Sequence, residues 1–289
     1  MGSTEPRRVA VTGAAGFVGR SVLARLRETG VETVAIDRTP GDGVLAGDLS
    51  DPAFRRDALA GSSAVIHLAA IPGGAAEADY DLSRRVNLDV TLALMEEARG
   101  RFVHASSIAV FGAPPAELVD DDTPPRPLST YGAHKLMAEV ALANLKRLGR
   151  LDGIALRLPG IVARPRGPSG MKSAFMSDVF HALAAGEAIT LPVSPQATLW
   201  MLSARAAAEA LVHALTVREA PAVLTLPALR VRMAQLVAAL GGDGRVSYQP
   251  DPLLEAQFGA YPPLATLAAD RLGFRHDGDL STLIARALT

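Results

Sequence analysis

The chain has 289 residues, 49% of them hydrophobic and 20% charged, which fits a large globular domain with or without a smaller lobe and excludes a disordered chain. Its formal net charge of −1 gives no positive field for nucleic acid or an anionic membrane, and no run of 18 apolar residues predicts a membrane span. The absence of cysteine excludes disulfides and thiolate metal sites and suits a reducing compartment, and the six histidines lack metal-ligand spacing, so we predict a cytoplasmic protein without a metal.

In the first half of the chain, short apolar runs alternate with longer amphipathic stretches. Strands are predicted at Arg8–Thr12, 33–36, 64–68, 102–105 and 153–157. Helices are predicted at Phe17–Glu28, 54–59, 82–98 and 128–148. This alternation is typical of βαβ units with right-handed crossovers, in which helices cover both faces of a parallel sheet. We therefore predict an α/β fold, a Rossmann-type doubly wound parallel sheet, over residues 1–158.

After residue 158 the composition changes. Residues 159–168 are rich in Pro, Gly and Arg, which is incompatible with a long helix or a central strand. Further helices are predicted at 174–185, 204–215, 233–240, 264–271 and Leu280–Ala287, with a strand at 199–202. We predict a smaller C-terminal substrate-binding lobe over residues 159–289, with some of its segments returning to the sheet.

A glycine-rich turn joins the first predicted strand to the first helix. Gly13, Gly16 and Gly19 form a GxxGxxG pattern in which the first glycine permits a tight turn and the second lets the backbone approach a pyrophosphate. The third lets the helix pack against the strand. The helix begins at Phe17 and Val18, where unpaired N–H groups and the positive end of the helix dipole favour phosphate. The turn predicts a dinucleotide site.

An acidic residue ends the second predicted strand. Asp37 lies 18 residues after Gly19, near the spacing expected for a carboxylate that binds the adenosine ribose. Such a carboxylate repels a 2′-phosphate, so NAD is favoured over NADP. Arg38 leaves this choice open, because an arginine there suits either adenine or a 2′-phosphate. Asp48, in the run GDLSD, is either an adenine contact or a turn and helix-cap residue.

One tyrosine and one lysine have the spacing that places them on the same helix face. Tyr131 and Lys135 are four residues apart, about 25 residues after Ser107. A free tyrosine, with a pKa of about 10, is a poor base at neutral pH, but a nearby ammonium favours the phenolate. Ser106 and Ser107 end the predicted fifth strand, at the sheet edge where ligands bind, and a serine hydroxyl there could orient a substrate oxygen. Together these residues suggest removal of a proton from an alcohol while a hydride leaves.

These motifs carry a resemblance to a known family. The runs TGAAGFVG, GDLSD, HLAA (67–70), SSIAVFG (106–112) and YGAHK (131–135) resemble the extended short-chain dehydrogenase/reductases in order and spacing. The resemblance implies a catalytic triad of Ser107, Tyr131 and Lys135, with Lys135 also holding the nicotinamide ribose. It further implies that residues 68–70 lie beside the cofactor, that Asn87 supports it and that residues 159–161 surround the nicotinamide.

The candidate cofactor contacts come from the glycine turn, the acidic positions and these family positions. They are Gly13, Gly16, Phe17, Val18, Gly19, Asp37, Arg38, Asp48, Leu49, Leu68, Ala69, Ala70, Asn87, Tyr131, Lys135, Pro159 and Ile161. The cofactor that they predict is NAD.

Departures from the family pattern narrow the predicted activity. Where nucleotide-sugar epimerases carry an arginine that grips the substrate diphosphate, this chain has Thr198-Leu199-Trp200. Where sugar 4,6-dehydratases carry two acids, it has Ser107-Ile108-Ala109. Stretches in both halves, among them EADYDLSRRVNLD, LRLPGIVARPRGPS and LGFRHDGDLSTLIARAL, resemble the D-erythronate dehydrogenases. That resemblance implies NAD-dependent oxidation of a four-carbon sugar acid to its 2-oxo acid.

A sugar acid needs a cationic partner for its carboxylate. Arg164, Arg166, Lys172 and Arg205 are the candidates, and for each of them a solvated surface position is the alternative. The candidate substrate contacts are Ser107, Tyr131, Arg164, Lys172, Ser173, Trp200 and Arg205. Trp200 is equally compatible with a cover over the substrate and with an ordinary core position.

Other functions remain open at this point. A uronate dehydrogenase or a nucleotide-sugar epimerase would use the same scaffold, and a non-catalytic dinucleotide-binding protein would share its fold. The apolar faces of residues 82–98 and 136–148 could support a homodimer or could be buried within one chain.

Overall fold

The computed structural model describes residues 7–113, 117–167 and 173–289. Within these ranges the strands are β1 (Arg8–Thr12), β2 (Glu32–Asp37), β3 (Val44–Ala46), β4 (Ala64–His67), β5 (Arg101–Ser107), β6 (Asp152–Leu158), β7 (Gly160–Val162), β8 (Ile189–Leu191), β9 (Thr198–Ser203), β10 (Val223–Thr225), β11 (Leu229–Arg232) and β12 (Val246–Tyr248).

The helices of the same ranges are α1 (Phe17–Glu28), α2 (Pro52–Leu59), α3 (Gly73–Ala78), α4 (Tyr80–Ser83), α5 (Val90–Glu97), α6 (Thr130–Arg147), α7 (Phe175–Ala184), α8 (Ala204–His213), α9 (Met233–Ala239), α10 (Pro252–Phe258), α11 (Leu267–Arg271) and α12 (Leu280–Ala287). A π-helical stretch, Arg84–Asp89, joins α4 to α5, and a 3₁₀ helix, Ile108–Phe111, follows β5.

The central element is a parallel sheet of seven strands in the order β10-β6-β5-β4-β1-β2-β3. Its strands are apolar at successive positions because both faces are covered. In β1, Val9 and Val11 pack into the core on one face, whereas Ala10 packs into the core on the other. The predicted doubly wound α/β sheet is confirmed.

Helices cover the two faces of this sheet as separate layers. One layer holds α1 and α8, where Val22 and Leu26 share a core with the alanines 206–208 and 210 of α8. The small alanine side chains allow these two helices to lie close together. The other layer holds α2, α5 and α6, whose buried residues include Leu59, Leu94 and Leu142.

The smaller sheets lie in the second half of the chain. One has the order β11-β9-β7 and the other pairs β12 with β8. Their side chains form a third core around Trp200 and Phe180, both nearly inaccessible to solvent. Strand β10 also follows residue 158, yet it pairs with β6 in the seven-stranded sheet.

Several helices differ from their predicted bounds for identifiable reasons. The single helix predicted at 82–98 consists of α4, the π-helical stretch and α5. Helix α6 begins at Thr130 rather than 128, because Ser129 caps it by accepting the N–H of Gly132 at 3.1 Å. The helix predicted from residue 264 begins at Leu267, because Leu264 pairs with Val119 in a β-bridge. Helix α10 was not predicted.

The direction of the sheet order changes at β1. From β1 the chain passes to β2 on one side, whereas β4 lies on the other side of β1. In open α/β sheets, the crevice for ligands lies at such a switch point, beyond the carboxyl ends of the strands. The glycine turn follows β1 at this edge, and Ser107 ends β5 at the same edge.

Helix α6 approaches the end of β5 more closely than a side chain would permit. A Cβ at Gly132 would lie 2.4 Å from the carbonyl oxygen of Ala109 in the 3₁₀ helix. At the other end of the helix, Gly149 has a φ of +68° and open space around the missing Cβ. Gly132 therefore sets the distance between α6 and the segment after β5.

We expect Gly132→Ala to lower the free energy of unfolding by at least ~1–3 kcal/mol, because an added methyl must push α6 away from Ala109. The control Gly149→Ala should cost about 1–2 kcal/mol through its backbone conformation alone. Urea unfolding of both variants measures these losses. A Gly132→Ala variant as stable as the parent protein would contradict the close packing.

Candidate active site

A cleft of about 810 Å³ opens at the carboxyl edge of the seven-stranded sheet, between that sheet and the smaller sheets. It is of a size that suits a cofactor together with a small substrate. The structure brings many of the predicted site residues to its walls: Gly13, Gly16, Phe17, Val18, Gly19, Leu68, Ala70, Ser107, Tyr131, Lys135, Pro159, Ile161, Arg164, Ser173 and Trp200.

The glycine turn forms one end of the cleft. Gly13 has a φ of +70°, and a Cβ there would lie 2.7 Å from the backbone nitrogen of Ala69. A Cβ at Gly19 would lie 2.2 Å from the carbonyl oxygen of Gly13. Gly16 caps α1 without any side-chain acceptor, so the first N–H groups of the helix face the cleft unpaired. This bare cradle fits the diphosphate of a dinucleotide.

Asp37 is held against the glycine turn. Its carboxylate accepts the N–H of Ala15 at 3.0 Å and the N–H of Thr39 at 2.9 Å. It therefore stands at the end of β2, beside the turn, where a ribose hydroxyl would be bound. Arg38 is exposed next to it.

The predicted cofactor contacts at residues 48 and 49 lie in different environments. Asp48 is exposed, and a hydrogen bond from the N–H of Ser50, at 2.8 Å, lowers the pKa of its carboxyl group. Leu49 is 8% exposed and packs in the core, so its side chain does not line the cleft. Only Asp48 of this pair presents its side chain to the surface.

Buried polar groups hold the loop after β4. The hydroxyl oxygen of Thr12 accepts the N–H groups of Leu68 and Ala69 at 3.2 and 3.3 Å. The amide of Asn87 accepts the N–H of Ile71 at 2.7 Å and donates to its carbonyl oxygen at 3.0 Å. Asn87 thus supports this loop from behind and does not itself line the cleft.

Ser107, Tyr131 and Lys135 meet where β5 ends and α6 begins. Ser107 lies at the last position of β5, and its Oγ accepts the N–H of Ala109 at 3.1 Å. Tyr131 and Lys135 lie one turn apart on α6, with the Lys135 Nζ 5.6 Å from the centre of the Tyr131 ring. The Lys135 Nζ donates to the carbonyl oxygen of Ala105 at 2.7 Å. The ammonium is therefore anchored at the end of β5.

The electrostatic surroundings of Tyr131 differ from the prediction. Burial raises the pKa of its phenol, whereas a hydrogen bond with Ser107 and the positive charge of Arg164 lower it. The sequence pattern predicted that Lys135 would lower this pKa. In the structure Arg164, which comes from a different segment of the chain, is a second cation beside the phenol and lowers its pKa.

The four basic candidates lie in different environments. Arg164 is half-buried in the cleft, and its carbonyl oxygen is hydrogen-bonded to the His181 Nε2 at 2.8 Å. Arg166 is exposed and pairs with Glu187 at 2.6 Å, outside the cleft. Arg205, predicted as a substrate contact, pairs with Glu209 at 3.3 Å on the exposed surface of α8. Lys172 lies outside the described residues.

Trp200 belongs to the core and also forms part of the cleft wall. Its side chain is 1% exposed, stacks on Tyr261 with ring centres 4.7 Å apart, and donates from Nε1 to the carbonyl oxygen of Pro262 at 2.7 Å. These contacts anchor the indole in one position. A movable cover over the substrate is incompatible with this packing.

Helix α10, which the sequence patterns did not predict, forms part of the cleft wall. Leu253, Ala256 and Gln257 of this helix line the cleft opposite the sheet, and Tyr261 follows them. Asp251 before Pro252 is a helix-start signal in the sequence, since its carboxylate caps α10. Nothing local indicates that this helix reaches the cleft, because its position depends on contacts such as the one between Glu255 and Ser194.

The described ranges contain neither a candidate metal-binding cluster nor a helix that could span a membrane. No group of three or more His, Asp or Glu side chains there could hold a metal ion. No helix in those ranges is long and apolar enough to cross a membrane.

Comparisons with known proteins agree with this geometry. Residues 9–224 match the sequence model of the NAD dependent epimerase/dehydratase family. The chain is 37% identical to the D-erythronate dehydrogenase of Cupriavidus necator over 96% of each protein. It is 31% identical to the D-erythronate dehydrogenase of Haemophilus influenzae, over 77% of this chain and 76% of that protein.

A solved structure has the same fold. The nucleoside-diphosphate-sugar epimerase of Agrobacterium tumefaciens superposes with a TM-score of 0.87 at 30% identity, over 96% of this chain and 92% of that one. The family match spans the glycine turn, β5 and α6, and the alignment with the Cupriavidus necator dehydrogenase covers 96% of the chain. The chain therefore belongs to the NAD dependent epimerase/dehydratase family and is an NAD-dependent oxidoreductase.

Proposed function

We propose that the enzyme oxidises D-erythronate, a four-carbon sugar acid, to its 2-oxo acid. The observation that carries this proposal is a half-buried guanidinium, Arg164, facing the phenol of Tyr131 within one cleft. A hydroxy acid needs a cation for its carboxylate and a base for its hydroxyl proton, close together. The likeness to two D-erythronate dehydrogenases supports the choice of acid.

Tyr131 takes the proton of the substrate hydroxyl in this mechanism. Its phenolate oxygen accepts this proton. At the carbon that carries the hydroxyl, the C–H bond breaks and the C=O bond forms. Bound NAD supplies the oxidised ring that accepts the hydride. The hydroxyl of Ser107 holds the substrate oxygen and, through its hydrogen bond with Tyr131, favours the phenolate.

Lys135 contributes a positive charge beneath Tyr131. Its hydrogen bond to the Ala105 carbonyl holds the ammonium near the tyrosine ring. The family resemblance implies that the same ammonium also binds the nicotinamide ribose. A charge fixed in a site that excludes water needs no reorganisation during the reaction.

Arg164 binds the substrate carboxylate in this proposal. Its fork of N–H donors suits a carboxylate, and its place in the cleft puts that carboxylate beside the reacting carbon. The hydroxyl of Ser173 lines the same region.

Nucleotide-sugar epimerisation is one alternative activity, given the epimerase of similar fold. Family epimerases hold the substrate diphosphate with an arginine at the position of Thr198 in this chain. Here the Thr198 hydroxyl donates to the Tyr261 carbonyl oxygen at 2.8 Å, beside the core around Trp200. A hexuronate would keep the carboxylate contact to Arg164 and is the nearer alternative.

The cofactor preference depends on Asp37 in this proposal. Because its carboxylate is held by the N–H groups of Ala15 and Thr39, it cannot turn away from a 2′-phosphate. NADP would place a second negative charge against it.

We also propose that the enzyme is a homodimer that pairs through α6. This helix exposes apolar side chains along its outer face, with Met137 50% and Val140 63% exposed. Tyr80 of α4, 57% exposed, stands beside the same face and contacts His134 of α6. A second copy would cover this surface.

Replacement of the proposed base tests the mechanism. Tyr131→Phe should reduce kcat with D-erythronate by about 10²–10⁴-fold, because the substitution removes the oxygen that takes the proton. NAD binding, measured by calorimetry, should stay near that of the parent enzyme. Tyr248→Phe, in the remote strand β12, serves as the control. Full activity of the Tyr131→Phe variant would refute the assignment.

The carboxylate contact predicts a contrast between two neighbouring arginines. Arg164→Gln should raise the KM for D-erythronate by about 10–150-fold, the value of one charge-assisted hydrogen bond. Arg166→Gln, which removes the same charge two residues away, should leave KM unchanged. Steady-state kinetics of both variants measures these two KM values. Equal increases of KM in the two variants would show that Arg164 contributes only its positive charge and does not bind the carboxylate.

The cofactor preference predicts the effect of removing one charge. Asp37→Asn keeps the shape of the side chain and should improve NADP binding relative to NAD by about tenfold, or ~1.4 kcal/mol. Asp48→Asn is the matched control and should change the ratio little. Calorimetric Kd values for both cofactors measure the effect. An unchanged ratio in Asp37→Asn would remove Asp37 from cofactor selection.

The dimer proposal predicts a change of mass on substitution. Sedimentation of the parent enzyme should give twice the chain mass of 30.1 kDa. Val140→Glu should shift the equilibrium toward monomers, because a charge at this face cannot be buried without a partner. A parent enzyme that sediments as a monomer at micromolar concentration would exclude the dimer.

A further inference from the structure

A buried ion pair lies directly beneath the proposed catalytic residues. Glu139 follows Lys135 by one helical turn on α6, and its side chain is 2% exposed. Arg157, 11% exposed, donates to both carboxylate oxygens, from Nε at 3.0 Å to Oε1 and from Nη2 at 2.8 Å to Oε2. The pair is bidentate, which is the strongest geometry for such a contact.

The same carboxylate is bonded to a second strand. Ser106 in β5 donates from its hydroxyl to Oε1 of Glu139. Ser106 and Arg157 are direct partners in the pairing of β5 with β6. One carboxylate therefore joins helix α6 to two adjacent strands, at the residue that immediately precedes Ser107.

Glu139 also faces the ammonium of Lys135. Three other ionisable groups lie around that ammonium: the phenol of Tyr131 on the same helix, and His67 and His104 on β4 and β5. Burial lowers the pKa of both histidines, that of His67 to about 3, so their rings are neutral. Glu139 is thus the negative charge that acts on Lys135.

The ammonium needs such a partner because it is buried. Burial lowers the pKa of Lys135 to about 8, and the negative charge of Glu139 acts in the opposite direction. The positive charge of Arg157 is directed to Glu139. Its guanidinium is hydrogen-bonded to that carboxylate and lies 4.9 Å from the ring centre of Phe111.

We propose that Glu139 is a positioning residue, which ties α6 to the ends of β5 and β6 and keeps Lys135 charged and fixed beneath Tyr131. This inference rests on the role proposed above for Lys135. Glu139 touches neither the cleft nor any reacting atom, so it acts through Lys135, Ser106 and the backbone that carries Ser107.

The proposal makes a signed prediction for pH dependence. Lys135 is charged below its pKa and loses its proton as the pH rises through it. Without the carboxylate of Glu139 the pKa of Lys135 falls further, so the ammonium is lost at a lower pH. The alkaline limb of the kcat profile should move to lower pH with it.

The chain allows this titration to be observed directly, since it contains only three lysines, 135, 146 and 172. Protein labelled with ¹³C at lysine Cε should show three titrating resonances, of which Lys135 is assigned by its loss in Lys135→Arg. In Glu139→Gln the midpoint of the Lys135 resonance should fall by about one pH unit. The resonances of Lys146 and Lys172 should keep their midpoints. Glu139→Asp, which keeps the charge, should restore much of the shift.

A second buried pair provides the matched control. Arg55 donates to Glu97 from Nε at 2.9 Å and from Nη2 at 2.7 Å, on the layer of α2 and α5 away from the cleft. Glu97→Gln should lower Tm, as Glu139→Gln does, because each leaves a buried guanidinium unpaired. Only Glu139→Gln should move the Lys135 midpoint and the alkaline limb of kcat.

A Lys135 midpoint that is unchanged in folded Glu139→Gln would overturn the proposal. If that variant does not fold, Glu139→Gln/Arg157→Gln removes both charges, and a smaller fall of the Lys135 midpoint is expected, because the repelling guanidinium is absent together with the attracting carboxylate. The resonance reports on Lys135 without substrate. Failure of the proposed substrate would therefore leave this measurement valid, and an unchanged midpoint would leave the substrate assignment intact.

Discussion

The hydrogen bond between the Lys135 ammonium and the Ala105 carbonyl is the interaction on which the site depends. It places a charged group, 1% exposed, between helix α6 and the end of strand β5. A buried ammonium costs several kcal/mol unless it is hydrogen-bonded and paired. The arrangement persists only where the helix and the strand are held at a fixed distance. Gly132 permits this short distance, and we propose that Glu139 maintains it.

The two halves of the chain supply different parts of the site around this hydrogen bond. The parallel sheet supplies the dinucleotide cradle and, through β5 and α6, the proposed base and its partners. The segment after β6 supplies Arg164, whose positive charge acts on Tyr131 and which we propose binds the substrate carboxylate. A common scaffold can thus keep its oxidoreductase chemistry while the second half of the chain selects the acid.

Local patterns in the sequence predicted a large part of this structure. The glycine spacing, the apolar strands and the four-residue separation of Tyr131 and Lys135 depend on neighbours along the chain, so they can be read without a fold. The choice among Arg164, Arg166 and Arg205 could not be read in this way. It depends on whether each side chain finds a local carboxylate, as Arg166 and Arg205 do, or faces the cleft.

The incorrect helix predictions also result from contacts between distant parts of the chain. The π-helical stretch at Arg84–Asp89 interrupts a run whose apolar period predicted one helix, because Asn87 and Thr91 form tertiary contacts there. Helix α10 reaches the cleft through Glu255 and its bonds to Ser194, a contact across 61 positions of the chain. Such contacts leave no local signal.

Formation of NADH is the measurement that decides whether this enzyme oxidises a small sugar acid with NAD. Absorbance would be followed with D-erythronate, L-threonate, glycerate and D-glucuronate, each with NAD and with NADP. We predict turnover with D-erythronate and NAD, and a 2-oxo acid as the product. Turnover with D-glucuronate alone, or with none of these acids, would contradict the assignment of the substrate.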